Sequence, residues 1–237
     1  MNVINQALAW LTDPAHWQGT DGIPIRLFEH VELCLAAAAL AIVIALPVGL
    51  AIGHTGRGGL LVVTIANLGR AIPSLALLVV FLPILGLGFR TTLVALTMLA
   101  IPPIVTNAYA GVRGVDRELV EAARGLGMRS WQVLWQVELP PALPVILAGI
   151  RTASVQVVAT ATLGAIVAGG GLGRYIVDGF ALQDIGRIVG GATLVALLAI
   201  VTELLFAGLE RLVVSPGLRL ERGRAAGRRT SMDGSRA

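Results

Sequence analysis

The sequence predicts an all-α fold: a polytopic helical membrane protein of about five transmembrane helices, with one polar loop built for docking. The first observation is composition. The chain of 237 residues is 56% hydrophobic and only 14% charged, with a mean hydropathy of +0.82, whereas a soluble domain carries about 25% charged residues. The second is that the charge is missing in blocks: residues 33–53, 91–112 and 188–202 contain none. A hydrocarbon core about 30 Å thick takes roughly 20 apolar residues as helix, so these blocks have the length of spans. Buried helices of a soluble protein rarely run so far uncharged, and a chain of this length cannot bury several of them. The third is a single long hydrophilic stretch, 113–141, set between two apolar ones.

Taken in order, residues 1–30 interleave Trp10, Trp17 and Phe28 with Asp13, Asp21 and Glu29. Tryptophans of this kind suit a membrane–water interface, and a short surface helix near Ile4 to Leu11 fits the pattern. The first span covers 33–53 and ends at the turn His54-Thr55-Gly56-Arg57-Gly58-Gly59. The second, 60–84, is interrupted by Arg70 and Pro73. A turn at Gly86 to Arg90 leads to the third span, 91–112, which contains Pro102-Pro103. The fourth, 142–168, is rich in small residues such as Gly149, Ala153, Ser154 and Gly164, which let helices approach closely in lipid, and it ends in the glycine run 169–173. The fifth covers 188–209. Beyond it the chain is rich in Arg and Gly, a composition expected of a disordered tail. The organisation expected is therefore an interfacial segment at 1–30, a transmembrane domain at 31–212 with its loop at 113–141, and a cytoplasmic tail at 213–237.

The formal charge is +4 and the pI near 10.5. In a soluble protein this balance points to nucleic acid. Here the arginines fall in loops and in the tail, so lipid headgroups and membrane orientation explain them and no nucleic acid is expected. Five spans put the termini on opposite sides. Arg57, the loop residues Arg113, Arg117, Arg124 and Arg129, and the tail arginines then share one side, against Arg26, Arg90, Arg174 and Arg187 on the other. The positive-inside rule places the loop and the C-terminus in the cytoplasm and the N-terminus outside.

Every basic residue is Arg; there is no Lys. That excludes a P-loop, whose lysine contacts the phosphates, and any Schiff-base chemistry. No cofactor is expected in this chain, and no catalytic residues. If the protein works with ATP, then ATP and Mg are bound by a separate subunit. Cys34 reads as a packing residue in an apolar run. His16, His30 and His54 lack ligand spacing, so no metal site is expected.

In the 113–141 loop, Asp116 is placed to cap a helix with Glu118 in its first turn. Leu119, Ala122, Ala123 and Leu126 then recur at i, i+3, i+4 and i+7, one apolar face. Gly125 and Gly127 are expected to end that helix, Ser130 to cap a second, and Pro140 and Pro141 to stop it. The result would be two short amphipathic helices forming a knob; a helix pair lying on the headgroups is the alternative.

The spacing of Glu121-Ala122-Ala123, Gly127, Val137 and Leu139-Pro140 resembles the EAA loop of ABC importer permeases, with Val137 where isoleucine is commoner. The resemblance implies that this loop is a coupling helix docking on an ABC ATPase subunit, with Glu121, Ala122, Ala123 and Gly127 as its surface. Further runs are similar to the osmoprotectant branch of that family: Ala71 to Leu77, Gly149 to Ala153, Ala159 to Leu163 and Gly170 to Gly173. Together they extend the resemblance over about 30–212. It implies a permease for glycine betaine, choline, carnitine or related quaternary ammonium compounds, working with an extracytoplasmic substrate-binding protein and a second permease copy or paralogue. The same machine carrying methionine or another amino acid is the alternative, and a channel or secondary transporter independent of ATP is the alternative of another class.

Candidate pathway or gate residues are Pro73, Ser74, Asn107 and Arg151. Pro73 either kinks the second span or breaks it so that backbone groups line a path, and the kink is the favoured expectation. Arg70, Arg151 and Glu203 are charges within spans, which by default mark function; for Arg151, snorkelling to the interface is the other reading. Aromatic residues make up only 5% of the chain, too few for an aromatic cage around a quaternary ammonium in the spans. High-affinity recognition is therefore expected in the binding protein.

Overall fold

The computed structural model describes residues 2–213, apart from the side chains of Leu61, Asn67 and Arg70. The tail expected at 213–237 thus lies outside the described residues from 214 onward. Helix α1 (Val3–Thr12) is followed by a 3-10 turn, Pro14–Trp17, and then by α2 (Ile23–Thr55). Next come α3 (Gly59–Ala71), α4 (Ser74–Leu85) and α5 (Phe89–Arg113). The loop region holds α6 (Arg117–Gly125) and α7 (Ser130–Gln132), and a π turn, Val133–Glu138, leads from it into α8 (Leu139–Thr160). A 3-10 segment, Ala161–Val167, precedes α9 (Gly173–Leu182) and α10 (Ile185–Val213). No strand occurs among the described residues.

Four helical runs are long and apolar enough to cross a bilayer: α2, α5, the continuous run Ser130–Val167, and α10. The first span begins at Ile23 rather than at 33. Hydropathy misses its first turns because Arg26, Glu29 and Glu32 sit there, yet Arg26 pairs with Glu29 at 2.8 Å and with Asp21.

The second span is not the kinked helix favoured from the sequence. It is broken. Proline has no N–H and forces its predecessor out of the helical region; Ile72 and Pro73 are both extended, with ψ of 123° and 131°. The chain between Thr55 and Gly88 therefore forms two helices, α3 and α4, rather than one. α3 starts beneath the Tyr109 ring, where a Cβ on Gly59 would lie 2.2 Å from the phenol oxygen, and Gly88 N–H donates to Val167 O at 2.6 Å at the far end.

The core is where α2 and α8 close on α5. On α2 the buried residues Leu33, Ala37, Ala41, Ala45, Gly49 and Gly53 recur every fourth position, one stripe along the helix. A Cβ on Gly49 would lie 2.6 Å from Ala108 Cβ, and one on Gly149 of α8 would lie 2.5 Å from Asn107 Cβ and 2.9 Å from Pro103 O. Without a hydrophobic driving force in lipid, such close contact supplies the attraction between helices. α10 is buried mainly at Gly186, Gly190, Gly191 and Val195, packs Leu194 and Leu198 against the core, and turns Leu197, Leu204, Leu205, Leu209 and Leu212 outward.

The N-terminal segment packs on this bundle. Trp10 is buried against α9 and α10, edge-on to Tyr175 at 4.9 Å, and Gly190 leaves room for its ring. Tyr175 O–H donates to Asp21 O at 2.7 Å, and burial pushes its phenol up to about 12. At the same end the glycine run is tied to α2: Gly171 N–H donates to Glu29 at 2.8 Å, and the buried His30 contacts Val158 O at 3.0 Å.

Candidate functional site

The opposite end of the bundle carries the loop. Asp116 caps α6 by accepting from Glu118 N–H at 2.9 Å. The helix ends in a Schellman arrangement: Met128 N–H donates to Ala123 O at 3.2 Å and Gly127 N–H to Arg124 O at 2.9 Å. This requires a left-handed residue at the turn, and Gly127 supplies it with φ of +80°. Gly125, also expected to end the helix, is its last helical residue.

The second half of the loop departs from expectation. Ser130 is not a cap. The turn at 129–132 is closed by Gln132 Oε1, which accepts from Arg129 N–H at 2.8 Å, while Ser130 Oγ lies 2.6 Å from His54 Nε2 on α2. Nor do Pro140 and Pro141 stop a helix, so there is no knob of two short helices. The π turn runs directly into α8, and Leu139 N–H donates to Leu134 O, five residues back. Such a bulge shifts the hydrogen-bond register just ahead of two residues that have no N–H to give, so the prolines enter the first turn of α8 without a break.

Of the residues with EAA-loop spacing, Glu121, Ala122, Gly127 and Pro140 are exposed and Val137 and Leu139 half-buried. Ala123 is only 6% exposed; it faces inward on α6, which packs against the π turn, and so does not belong to the outer surface. Glu121 lines a polar cavity of about 210 Å³ together with Arg113, Arg117, Arg124, His54 and Glu138. The exposed apolar face consists instead of Leu119, Ala122 and Leu126, with Leu126 84% exposed, and Trp131 and Trp135 stand out from the following turns. Leu119 and Leu126 were legible in the helical period. The two tryptophans were missed, although exposed aromatics are enriched at interfaces.

His54 and Glu138 were also missed. Glu138 is 4% exposed, and its Oε2 lies 2.6 Å from His54 Nδ1. Glu138 stands inside the motif, between Val137 and Leu139, but its partner lies 84 positions away.

The candidate pathway residues are not brought together. Pro73 and Ser74 form the break between α3 and α4. Asn107 donates to Pro103 O at 2.8 Å in the crossing of α5 with α8. Arg151 does not stand free; it pairs with Glu203 and, at 3.6 Å, with Glu210 on α10. The side chain of Arg70 lies outside the described residues. No cluster of His, Cys, Asp or Glu with metal-binding geometry occurs among the described residues.

Residues 38–215 match the family described as the binding-protein-dependent transport system inner membrane component. The chain is 40% identical over 191 residues to the glycine betaine/carnitine/choline transport system permease protein OpuCB of Bacillus subtilis, a match covering 81% of this chain and 88% of that one. It is 38% identical over 185 residues to the osmoprotectant import permease protein OsmY of Salmonella typhimurium, covering 77% and 78%. Among solved structures, an inward-facing form of the MetNI methionine ABC transporter superposes with a TM-score of 0.73 at 24% identity, over 86% of this chain and all of that one; at that identity the likeness speaks to fold. The chain is a multi-pass membrane protein and belongs to the family of binding-protein-dependent transport system inner membrane components, the permease subunits of ABC importers.

Proposed function

We propose that the chain is the permease of an ATP-driven importer for osmoprotectants: glycine betaine, choline, carnitine or similar quaternary ammonium compounds. Loop 113–141 would dock a separate ATPase that binds ATP and Mg. The observation that carries the docking is the exposed face Leu119–Ala122–Leu126 with Trp131 and Trp135, apolar surface at the end of a bundle beside arginine-rich segments. Cargo is supported by relatives named for these solutes across about four fifths of the chain. Methionine is favoured by no comparable observation, since that likeness lies in the fold.

In this reading the N-terminus and residues 1–30 lie at the outer face, where a substrate-binding protein delivers the solute, and the loop and C-terminal tail are cytoplasmic. Two permease subunits, identical or paralogous, enclose the path. ATP draws the two ATPase subunits together, the loops move with them, and the path opens outward; hydrolysis returns it inward. The broken α3–α4 segment brings non-helical backbone at Ile72 and Pro73 beside the path, as broken helices do in transporters.

The test is uptake by proteoliposomes containing the permease, its ATPase and its binding protein. ATP-dependent accumulation of labelled glycine betaine, choline or carnitine is expected. Accumulation of methionine instead would overturn the cargo, and uptake that survives without ATP while an ion gradient is held would overturn the class.

A further inference from the structure

We propose that His54 is a positioning residue for energy coupling: through Glu138 and Ser130 it fastens the cytoplasmic end of α2 to the root of the docking loop. The proposal rests on the docking reading above and adds to it the route by which loop movement reaches the membrane.

The last turn of α2 places His54 over the start of the run that leads into α8. Both ring nitrogens are engaged, Nδ1 with the Glu138 carboxylate and Nε2 with Ser130 Oγ, each at 2.6 Å. The chemistry is self-consistent: Nδ1–H donates to the carboxylate, and a serine hydroxyl either donates to or accepts from Nε2. Ser130 opens the run after the α6 turn, and Glu138 closes its π turn, so the imidazole bridges both ends of the segment joining α6 to α8. Among the described residues no other hydrogen bond joins α2 to residues 117–138.

The surroundings favour a movable link over a packed one. A polar cavity of about 210 Å³ lies against the pair, lined also by Arg113, Arg117, Glu121 and Arg124. Movement of α6 would therefore be passed to α2 through directional bonds rather than through a filled core. α2 is the long span whose alanine and glycine stripe meets α5, and its other end holds the glycine run through Glu29. A displacement of Thr55 relative to α5 is thus passed along one continuous helix, with Pro47 in its interior, towards the outer end of the bundle. π bulges frequently mark functional positions within helices, and this one ends on Glu138.

The experiment uses the complete importer in proteoliposomes and measures three quantities: ATPase subunit retained on purification, ATP hydrolysed, and solute taken up per ATP. His54→Leu alone leaves a buried carboxylate unpaired and is liable to misfold, so it is combined with Glu138→Met. The expected result is normal retention of the ATPase subunit with uptake per ATP reduced roughly tenfold, the scale of coupling changes produced by residues outside the binding sites. Ser130→Ala, which keeps the carboxylate arm, should lose less, and His54→Gln, which keeps a donor for Glu138, should recover part of the loss. Unchanged uptake per ATP in the assembled double variant overturns the proposal. So does loss of the ATPase subunit from a folded permease, which would make the pair part of the docking surface itself. Failure of the docking reading is seen separately, in a Leu126→Asp permease that still retains its ATPase.

Discussion

Arg151 of α8 and Glu203 of α10 form an ion pair within the bundle, and Glu210, two turns further along α10, approaches the same guanidinium at 3.6 Å. An unpaired charge at the centre of a span costs about 2.5–3.5 kcal/mol on insertion scales, and pairing one arginine with two carboxylates offsets that cost and ties α10 to α8. The side chains of the pair are 31% and 41% exposed, which brings the expected coupling energy nearer 1 kcal/mol. Arg151→Leu should lower the unfolding midpoint of the detergent-solubilised protein, and Arg151→Leu with Glu203→Leu should recover most of that loss. A double-mutant cycle measures the difference, and additive effects would show that the pair contributes nothing.

The crossing of α5 and α8 at Gly149 makes a steric prediction. Its Cβ would stand 2.5 Å from Asn107 Cβ and 2.9 Å from Pro103 O. Both atoms sit on or next to the backbone, so no side-chain rotation relieves them. Gly149→Ala should destabilise by about 1–3 kcal/mol, as overpacking does. Gly208 on α10, where a Cβ would meet nothing within 4 Å, is the control: Gly208→Ala should cause no loss. Thermal unfolding of the two variants side by side checks the contrast.

Why these two features differ in legibility is physical. The small residues of the fourth span were visible as composition, and the uncharged runs located α2, α5 and α10 because lipid dictates length and polarity. The stripe on α2 has a four-residue spacing that could have been read the same way. The partners of Arg151, Ser130 and Glu138 could not. His54 lies 76 and 84 positions from its two partners, and no local pattern encodes such a meeting. Ser130 shows the consequence: capping chemistry favours it locally, yet a tertiary contact claims its hydroxyl. Ala123 shows the same for the motif, since spacing marks a face without saying which of its members turns inward.

Tyr175 carries a pH prediction at the far end of the bundle. Burial is the main cause that raises its phenol to about 12, against an opposing pull from Arg26 and Arg187. An acid group whose folded value lies above its unfolded value near 10 favours the folded state while it stays protonated. That contribution is whole below pH 10 and is lost as pH rises from 10 towards 12. Tyr175→Phe should therefore be less stable at neutral pH, by about 1 kcal/mol for the lost hydrogen bond to Asp21 O, and should show a flatter decline above pH 10. Tyrosinate absorbance in the native protein should include a rise near pH 12 that is absent from the variant.

The α6 turn separates backbone from surface. Gly127 has φ of +80°, and a Cβ there would meet nothing within 4 Å, so substitution is opposed by conformation alone. Gly127→Asn should be tolerated, because Asn adopts left-handed geometry readily. Gly127→Ala should cost about 1–2 kcal/mol, and Gly127→Val more, since branching at Cβ makes positive φ worse. If the loop docks an ATPase, retention of that subunit and ATP-driven uptake should fall in the same order, Asn, Ala, Val. Leu126→Asp should abolish retention with no backbone strain at all, because it places a charge on the exposed face and leaves the turn intact. A permease in which Gly127→Val lowers stability but not retention would separate the turn from docking. One in which Leu126→Asp assembles normally would remove the apolar face as the contact.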